Sequence, residues 1–230
     1  MYSERDKKFL FKLREQIVEG CVKCHGNDIR CSCHILYRFE CRKVKANIPP
    51  KYRSFTFEQI THPQTAEVRN KIKGYIDNLN EQLENGMGLF LSGSTGLGKS
   101  AIASIVLAKA IESGRTGHFF TLDQCLNLYI GGWKDEKLKE QYLDDVLGVD
   151  VLVIDEVGNE PRTNITMVGA CLNDILRRRS NNLQTTIITS NLYFKKIKEI
   201  YGEETFSILN ECTLPFEFNG VDFREGRASA

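Results

Sequence analysis

Gly93-Ser94-Thr95-Gly96-Leu97-Gly98-Lys99-Ser100 fits the spacing G-x-x-x-x-G-K-[ST], and Met87-Gly88-Leu89-Phe90-Leu91-Ser92 before it reads as a strand. That spacing suits phosphate chemistry. The glycines let successive backbone N–H groups turn inward around anionic oxygens, the Lys99 ammonium reaches the terminal phosphates, and the Ser100 hydroxyl can ligate Mg²⁺ at a helix N-terminus. Farther along, Val151-Leu152-Val153-Ile154 leads into Asp155-Glu156, which places a carboxylate pair at the carboxyl end of a buried strand. Open α/β sheets bind their ligands at that edge. Asp155 would hold Mg²⁺ through its water shell, and Glu156 would orient or deprotonate an attacking water. The next apolar run ends in Thr189-Ser190-Asn191, so the Asn191 amide is expected at the same edge, within reach of a γ-phosphate or its water.

A second cluster carries different chemistry. Cys21-x2-Cys24-x6-Cys31-x-Cys33 brings four thiols together through two tight turns, with Gly26 and Asn27 available to bend the loop between them. Such pairs suit a tetrahedral structural Zn²⁺ with no open position for catalysis. His25, His34 and Cys41 are the substitutes if one of the four is not a ligand. A disulfide framework is disfavoured by an expected cytoplasmic setting. The other three cysteines, Cys125, Cys171 and Cys212, are dispersed among apolar residues and read as core.

These residues need a scaffold, and the pattern supplies one. Short apolar strands at Gly88–Ser92, Gly117–Thr121, Val149–Ile154, Thr185–Thr189 and Leu214–Phe218 alternate with helices over 66–85, 99–113, 136–147, 164–179 and 203–211. Alternation of this kind predicts a parallel α/β sheet flanked by helices. Residues 1–46 form a separate unit, a helix over 4–19 followed by the cysteine segment; 47–63, with its consecutive Pro49 and Pro50, reads as a linker; 64–230 is the α/β domain. With 230 residues, 41% of them hydrophobic and only 5 prolines, the chain has enough apolar material for an ordinary core, which excludes a disordered or collagen-like class. No run is long and apolar enough for a membrane span or a secretion signal, so a soluble, cytoplasmic protein is expected. The net charge of +1 hides an asymmetry: residues 1–53 carry 13 Lys or Arg against 6 Asp or Glu, so a basic head faces an acidic body. A basic head suggests an acidic partner, nucleic acid or protein.

A phosphate loop, then a strand ending in Asp-Glu, then a strand ending in Asn resembles the AAA+ division of P-loop ATPases. The flanking runs narrow this. Asn47-Ile48-Pro49-Pro50-Lys51-Tyr52-Arg53, Val153 to Glu160, Ile187 to Leu192 and Pro215 to Arg224 resemble the helicase loaders of the DnaC and DnaI type and the related transposition helper IstB. The resemblance implies ATP bound with Mg²⁺ along Gly93–Ser100 and its hydrolysis to ADP and phosphate, with catalysis by Lys99, Glu156 and Asn191. It also implies a hexameric DnaB-type replicative helicase and single-stranded DNA as partners, self-association in the ATP state, and a zinc head that contacts helicase or DNA.

The chain departs from that pattern in one place. Loaders carry two arginines in a run like Tyr-Gly-Glu-Arg-x-x-Ser-Arg, whereas this chain reads Tyr201-Gly202-Glu203-Glu204-Thr205-Phe206-Ser207-Ile208. Either hydrolysis is weak and nucleotide serves mainly as an assembly switch, or another arginine acts across the subunit boundary; Arg179 is the first candidate, with Arg177, Arg178, Arg224 and Arg227 behind it. Tyr129, Trp133 and Lys134, joined by Lys137 and Lys139, are the residues available for a single-stranded DNA contact. The helical lid of many AAA+ proteins is expected to be minimal or absent. Two alternatives stand beside the loader: an IstB-like helper that assembles on duplex DNA, and a helicase adaptor or inhibitor that binds nucleotide with little turnover.

Overall fold

The computed structural model describes residues 3–60, 66–159 and 165–219. Five strands, β1 (Gly88–Gly93), β2 (Gly117–Thr121), β3 (Val151–Val157), β4 (Thr185–Ser190) and β5 (Thr213–Phe218), form one sheet in the order β2-β3-β4-β1-β5, with every neighbouring pair parallel. Side chains alternate between faces along a strand, and both faces here are covered. Leu89, Leu91, Val151, Val153 and Ile187 therefore enter one apolar layer, while Phe90, Leu152, Ile154 and Ile188 enter the other. That is why the strands read as unbroken apolar runs.

The helices are α1 (Glu4–Arg14), α2 (Ser32–Lys45), α3 (Ala66–Asp77), α4 (Leu79–Glu84), α5 (Lys99–Glu112), α6 (Leu122–Gly131), α7 (Glu136–Gln141), α8 (Ile165–Asn181), α9 (Phe194–Tyr201) and α10 (Glu203–Cys212). The first layer is closed by α3, α4 and α5, the second by α6, α8, α9 and α10. The sequence pattern predicted neither α6 nor α9. Helix α6 starts on a capping box in which Thr121 Oγ1 accepts from Gln124 N at 3.2 Å and Gln124 Oε1 accepts from Thr121 N at 2.9 Å. It buries Leu122, Cys125 and Leu126 at helical spacing. Helix α9 buries Ile197 and Tyr201, one turn apart.

The stretch after residue 46, read as a linker, is part of the body. Phe119 N donates to Ala46 O at 2.8 Å and Asn47 Nδ2 donates to Phe119 O at 3.0 Å, which covers the free edge of β2. Ile48 is fully buried in the first layer and Arg53 is buried beside it. The prolines remove donors from this stretch, but the carbonyl of Ala46, the Asn47 amide and the Ile48 side chain fix it. The head is small by comparison. Helix α1 is capped by Ser3, whose hydroxyl accepts from Asp6 N at 3.1 Å, and continues through π-helical turns over Glu15–Glu19. Helix α2 begins within the cysteine cluster and ends against the body, where Arg42 donates to Gly114 O and Arg115 O at 3.1 and 3.0 Å.

Candidate nucleotide site and metal centre

The loop between β1 and α5 is held open by backbone geometry. A Cβ on Gly93 would lie 2.2 Å from Phe218 O on the neighbouring strand, so only glycine lets β1 end beside β5 and turn there. Gly96 and Gly98 both take left-handed φ of +83°, while Leu97 between them is fully buried and anchors the loop. Lys99 opens α5 and turns back under the loop, donating to Gly93 O at 2.6 Å, Ser94 O at 2.7 Å and Asn191 Oδ1 at 3.1 Å.

Three strand ends converge on that lysine. Ser100 Oγ donates to Asp155 Oδ1 at 2.8 Å, and Thr189 Oγ1 donates to the same oxygen. The β3–β4 pairing shifts register between Ile154 and Val157, and Glu156 sits in the irregularity with φ of +64°. Its N–H, freed from the ladder, donates to Thr189 Oγ1 at 3.1 Å. The irregularity turns the Glu156 side chain out of the sheet and onto the rim of the cavity while Asp155 stays buried. A left-handed glutamate costs roughly 1–3 kcal/mol and is kept where surrounding structure fixes it. Asn191 Nδ2 donates to Asn159 Oδ1 at 2.8 Å, so that amide is oriented from both ends.

One cavity is lined by Tyr52, Thr95–Ser100, Glu156, Asn159 and Thr189–Asn191. A nucleoside triphosphate with Mg²⁺ fits this set. Backbone N–H groups at a helix N-terminus and a lysine suit the phosphates, a hydroxyl and a carboxylate 2.8 Å apart suit a hydrated divalent cation, and a second carboxylate stands on the rim. Tyr52, Asn159 and Thr189 were not singled out by spacing. They reach the cavity from separate segments; Tyr52 and Asn159 fall within runs that carry the loader resemblance, and Thr189 lies on a strand already placed at this edge, but no spacing marked any of the three as lining the site.

The four cysteines converge as expected: the Sγ atoms of Cys21, Cys24, Cys31 and Cys33 all lie within 4.8 Å of one another. Cys21 to Cys31 is 3.8 Å and Cys24 to Cys33 is 3.4 Å. A zinc tetrathiolate with Zn–S bonds of about 2.3 Å has S···S edges of about 3.8 Å, so the set fits that ion. Backbone N–H groups of Lys23 and Cys24 aim at the Cys21 sulfur and lower its pKa to about 7; the Cys33 N–H lowers Cys31. Burial among the other sulfurs pushes Cys33 up to about 12. His34 instead turns its Nε2 toward Gly26 O at 3.4 Å.

With this geometry the comparisons agree. Residues 40–211 match the family described as IstB-like ATP binding protein, about three quarters of the chain. This chain belongs to that family. It is 28% identical over 171 residues to the replicative helicase loader DnaC of Buchnera aphidicola subsp. Acyrthosiphon pisum, covering 72% of this chain and 68% of that one. DnaC of Escherichia coli K12 is 23% identical over 163 residues, 69% and 64% of the two chains. The crystal structure of the DnaC helicase loader superposes with a TM-score of 0.59 at 26% identity, covering 69% of this chain and 92% of that one. The replication initiator DnaA bound to AMPPCP and single-stranded DNA shares the fold, with a TM-score of 0.60 at 17% identity over 76% of this chain and 51% of its own. This IstB-like protein is therefore a DnaC-like AAA+ P-loop protein.

One expectation is overturned. Arg179 is not available to a neighbouring subunit: it is fully buried at the amino edge of the sheet, opposite the phosphate loop. Its guanidinium donates to Thr186 Oγ1 at 3.0 Å, Val146 O and Val149 O at 2.9 Å, Thr185 O at 2.7 Å and Asp150 O at 3.3 Å. It is a strut that satisfies the carbonyls entering β3 and β4. The helical stripe Val168, Cys171, Leu172, Ile175 and Leu176 runs on to position 179, a signal that could have placed it in the core. Arg178 pairs with Asp174 at 2.9 Å, and exposed Arg177 pairs with Glu204 at 3.4 Å, the residue standing where the loader pattern has an arginine. Arg224 and Arg227 lie outside the described residues. Of the DNA candidates, Tyr129 is half-buried between Trp133 and Tyr142, whereas Trp133 and Lys134 are exposed. Among the described residues no helix is long and apolar enough to cross a membrane.

Proposed function

We propose that this IstB-like protein is a cytoplasmic, ATP-dependent helicase loader that binds a hexameric DnaB-type replicative helicase and assists its placement on single-stranded DNA. The supporting observation is the convergence of Lys99, Ser100, Asp155, Glu156, Thr189 and Asn191 at one sheet edge in a chain similar to replicative helicase loaders. ATP would supply the phosphoanhydride; Ser100 and Asp155 would hold the Mg²⁺ that offsets its charge. Lys99 leaves the loop carbonyls for the β- and γ-phosphates, Asn191 holds the terminal phosphoryl or its water, and Glu156 accepts a proton from that water. Cys21, Cys24, Cys31 and Cys33 would hold Zn²⁺ and so order the head that meets the helicase or DNA, and Trp133 with Lys134 offers an aromatic platform and a cation to a single strand.

Native mass spectrometry of the protein with the host's replicative helicase, in ATP and in ADP, tests this. A defined, nucleotide-sensitive complex with one zinc per chain is expected. No complex under either nucleotide would transfer the assignment to an IstB-like helper, for which ATP-dependent assembly on duplex DNA is the corresponding assay. A specific observation favours slow turnover within the loader reading: Glu204 and Ile208 stand at the usual arginine positions and Arg179 is buried. ATP would then act chiefly as an assembly switch, with self-association in the ATP state and little hydrolysis.

A further inference from the structure

The head holds a buried residue, Arg53, whose chain neighbour Tyr52 lines the nucleotide cavity. Arg53 follows the 3₁₀ turn Pro50–Tyr52, and its side chain is only 7% exposed. Its Nε donates to Ile48 O at 2.8 Å and its Nη1 donates to Asp6 Oδ1 on α1 at 2.8 Å. The Phe9 ring, also on α1, lies 5.6 Å from the guanidinium carbon. From the other helix of the head, Lys43 Nζ donates to Arg53 O at 3.0 Å while pairing with Glu40 at 2.6 Å. Thus α1 grips the Arg53 side chain and α2 grips its carbonyl.

The residue immediately before Arg53 is Tyr52, which lines the cavity formed by Thr95–Ser100, Glu156 and Asn191. Two prolines and the bond from Tyr52 N to Pro49 O at 2.8 Å leave the turn little freedom of its own. A shift of the head is therefore passed to the Tyr52 backbone instead of being absorbed by a loose connector. An exposed ion pair would transmit almost nothing. Here the cation is buried, so loss of Asp6 leaves it short of a partner and the turn must move to hydrate it.

We propose that Arg53 is a positioning residue: gripped by Asp6 and Lys43, it sets Tyr52 at the nucleotide cavity, so that seating of the head and binding of nucleotide are coupled. This deepens the nucleotide-binding reading and rests on it. Coupling is reciprocal: if a seated head raises nucleotide affinity by some factor, bound nucleotide favours the seated head by the same factor.

The test uses the zinc-loaded full chain and ATP with Mg²⁺. Titration calorimetry on wild type, Asp6→Asn, Tyr52→Ala and the double variant is expected to give a Kd raised about fivefold by Asp6→Asn and about tenfold by Tyr52→Ala. The double variant should bind no more weakly than Tyr52→Ala, because Asp6 acts through Tyr52; a merely structural role for Asp6 would give multiplicative losses. Asp6→Glu should restore affinity. Hydrogen exchange supplies a readout that survives poor folding of the Asp6 variant: saturating ATP should slow exchange in α1 of wild type and leave it unchanged in Tyr52→Ala. Wild-type Kd in Asp6→Asn, multiplicative losses in the double variant, or ATP protection of α1 persisting in Tyr52→Ala would each overturn the coupling alone. Absence of ATP binding to wild type would overturn the nucleotide reading with it.

Discussion

The head and the body of this protein are built on opposite terms. Among its described residues up to 45, the head buries only Leu10, Val18, Cys33 and Val44 of its apolar side chains, and it leaves Phe9, Phe11, Val22, Ile29, Ile35 and Leu36 exposed. The body closes two apolar layers over both faces of a five-stranded sheet. A segment with so few buried side chains cannot offset the entropy of ordering itself, so four sulfurs and the joint to the body must supply what a core would. The body needs no such aid, and its chemistry sits where strands end, not where side chains are buried. The same division separates the two kinds of cysteine: the head's thiols converge, while Cys125 and Cys171 are core residues whose thiols are pushed up by burial.

Removing the proposed Zn²⁺ is the strongest way to break this comparison. Structural zinc supplies on the order of 10–16 kcal/mol in small zinc peptides, far more than the apolar contacts of the head. Chelation, or Cys24→Ser, is expected to bring amides of α1 and the first turn of α2 to near-unfolded exchange rates while strands β1, β3 and β4 keep full protection. Equal loss of protection in head and body would show that the two are one cooperative unit.

Arg179→Met tests the body's side. The variant fills similar volume but withdraws five donors from buried carbonyl and hydroxyl oxygens, at a cost of about 3 kcal/mol. The expected result is a lower melting temperature with ATP affinity kept. A variant with unchanged stability but lost turnover would return Arg179 to a catalytic role. On the nucleotide edge, Lys99→Ala should weaken ATP binding about a hundredfold, roughly 2.8 kcal/mol. Glu156→Gln should instead keep affinity and slow turnover about a hundredfold, the lower end of the roughly 10²–10⁴ contributed by a positioned general base. Titration and steady-state phosphate release separate the two.

Which features were legible in the sequence follows the same division between local and distant causes. The phosphate loop, the Asp155-Glu156 pair and the four cysteines are defined by spacing along the chain, and an apolar run beside each fixes its strand or turn. Helix α2 was hidden because its first turn carries the cysteines, whose metal spacing took precedence over the buried Val44 and Lys43 farther on. Helix α6 follows β2 without a loop, so strand and helix merged in the pattern; only the Thr121 and Gln124 capping pair marked the junction. Arg179, Tyr52 and Asn159 owe their roles to partners 30 or more residues away, or across a cavity, and no local spacing encodes that.

The smallest effect concerns the first residue past the head, which ties the stretch entering the body to the edge strand β2. Asn47 has a left-handed φ of +57° and donates to Phe119 O on the edge strand. Asparagine tolerates that backbone better than most residues, and its amide also supplies the cross-link. Asn47→Ala loses the hydrogen bond and places a Cβ in a disfavoured region, a combined cost of about 1–2 kcal/mol. Asn47→Gly loses the bond but relieves the backbone, so roughly half that cost is expected. Calorimetric unfolding of the zinc-loaded chain distinguishes the two contributions: equal losses would mean that backbone strain contributes nothing at this joint, and no loss in either would mean that the edge of β2 is held by Ala46 and Ile48 without it.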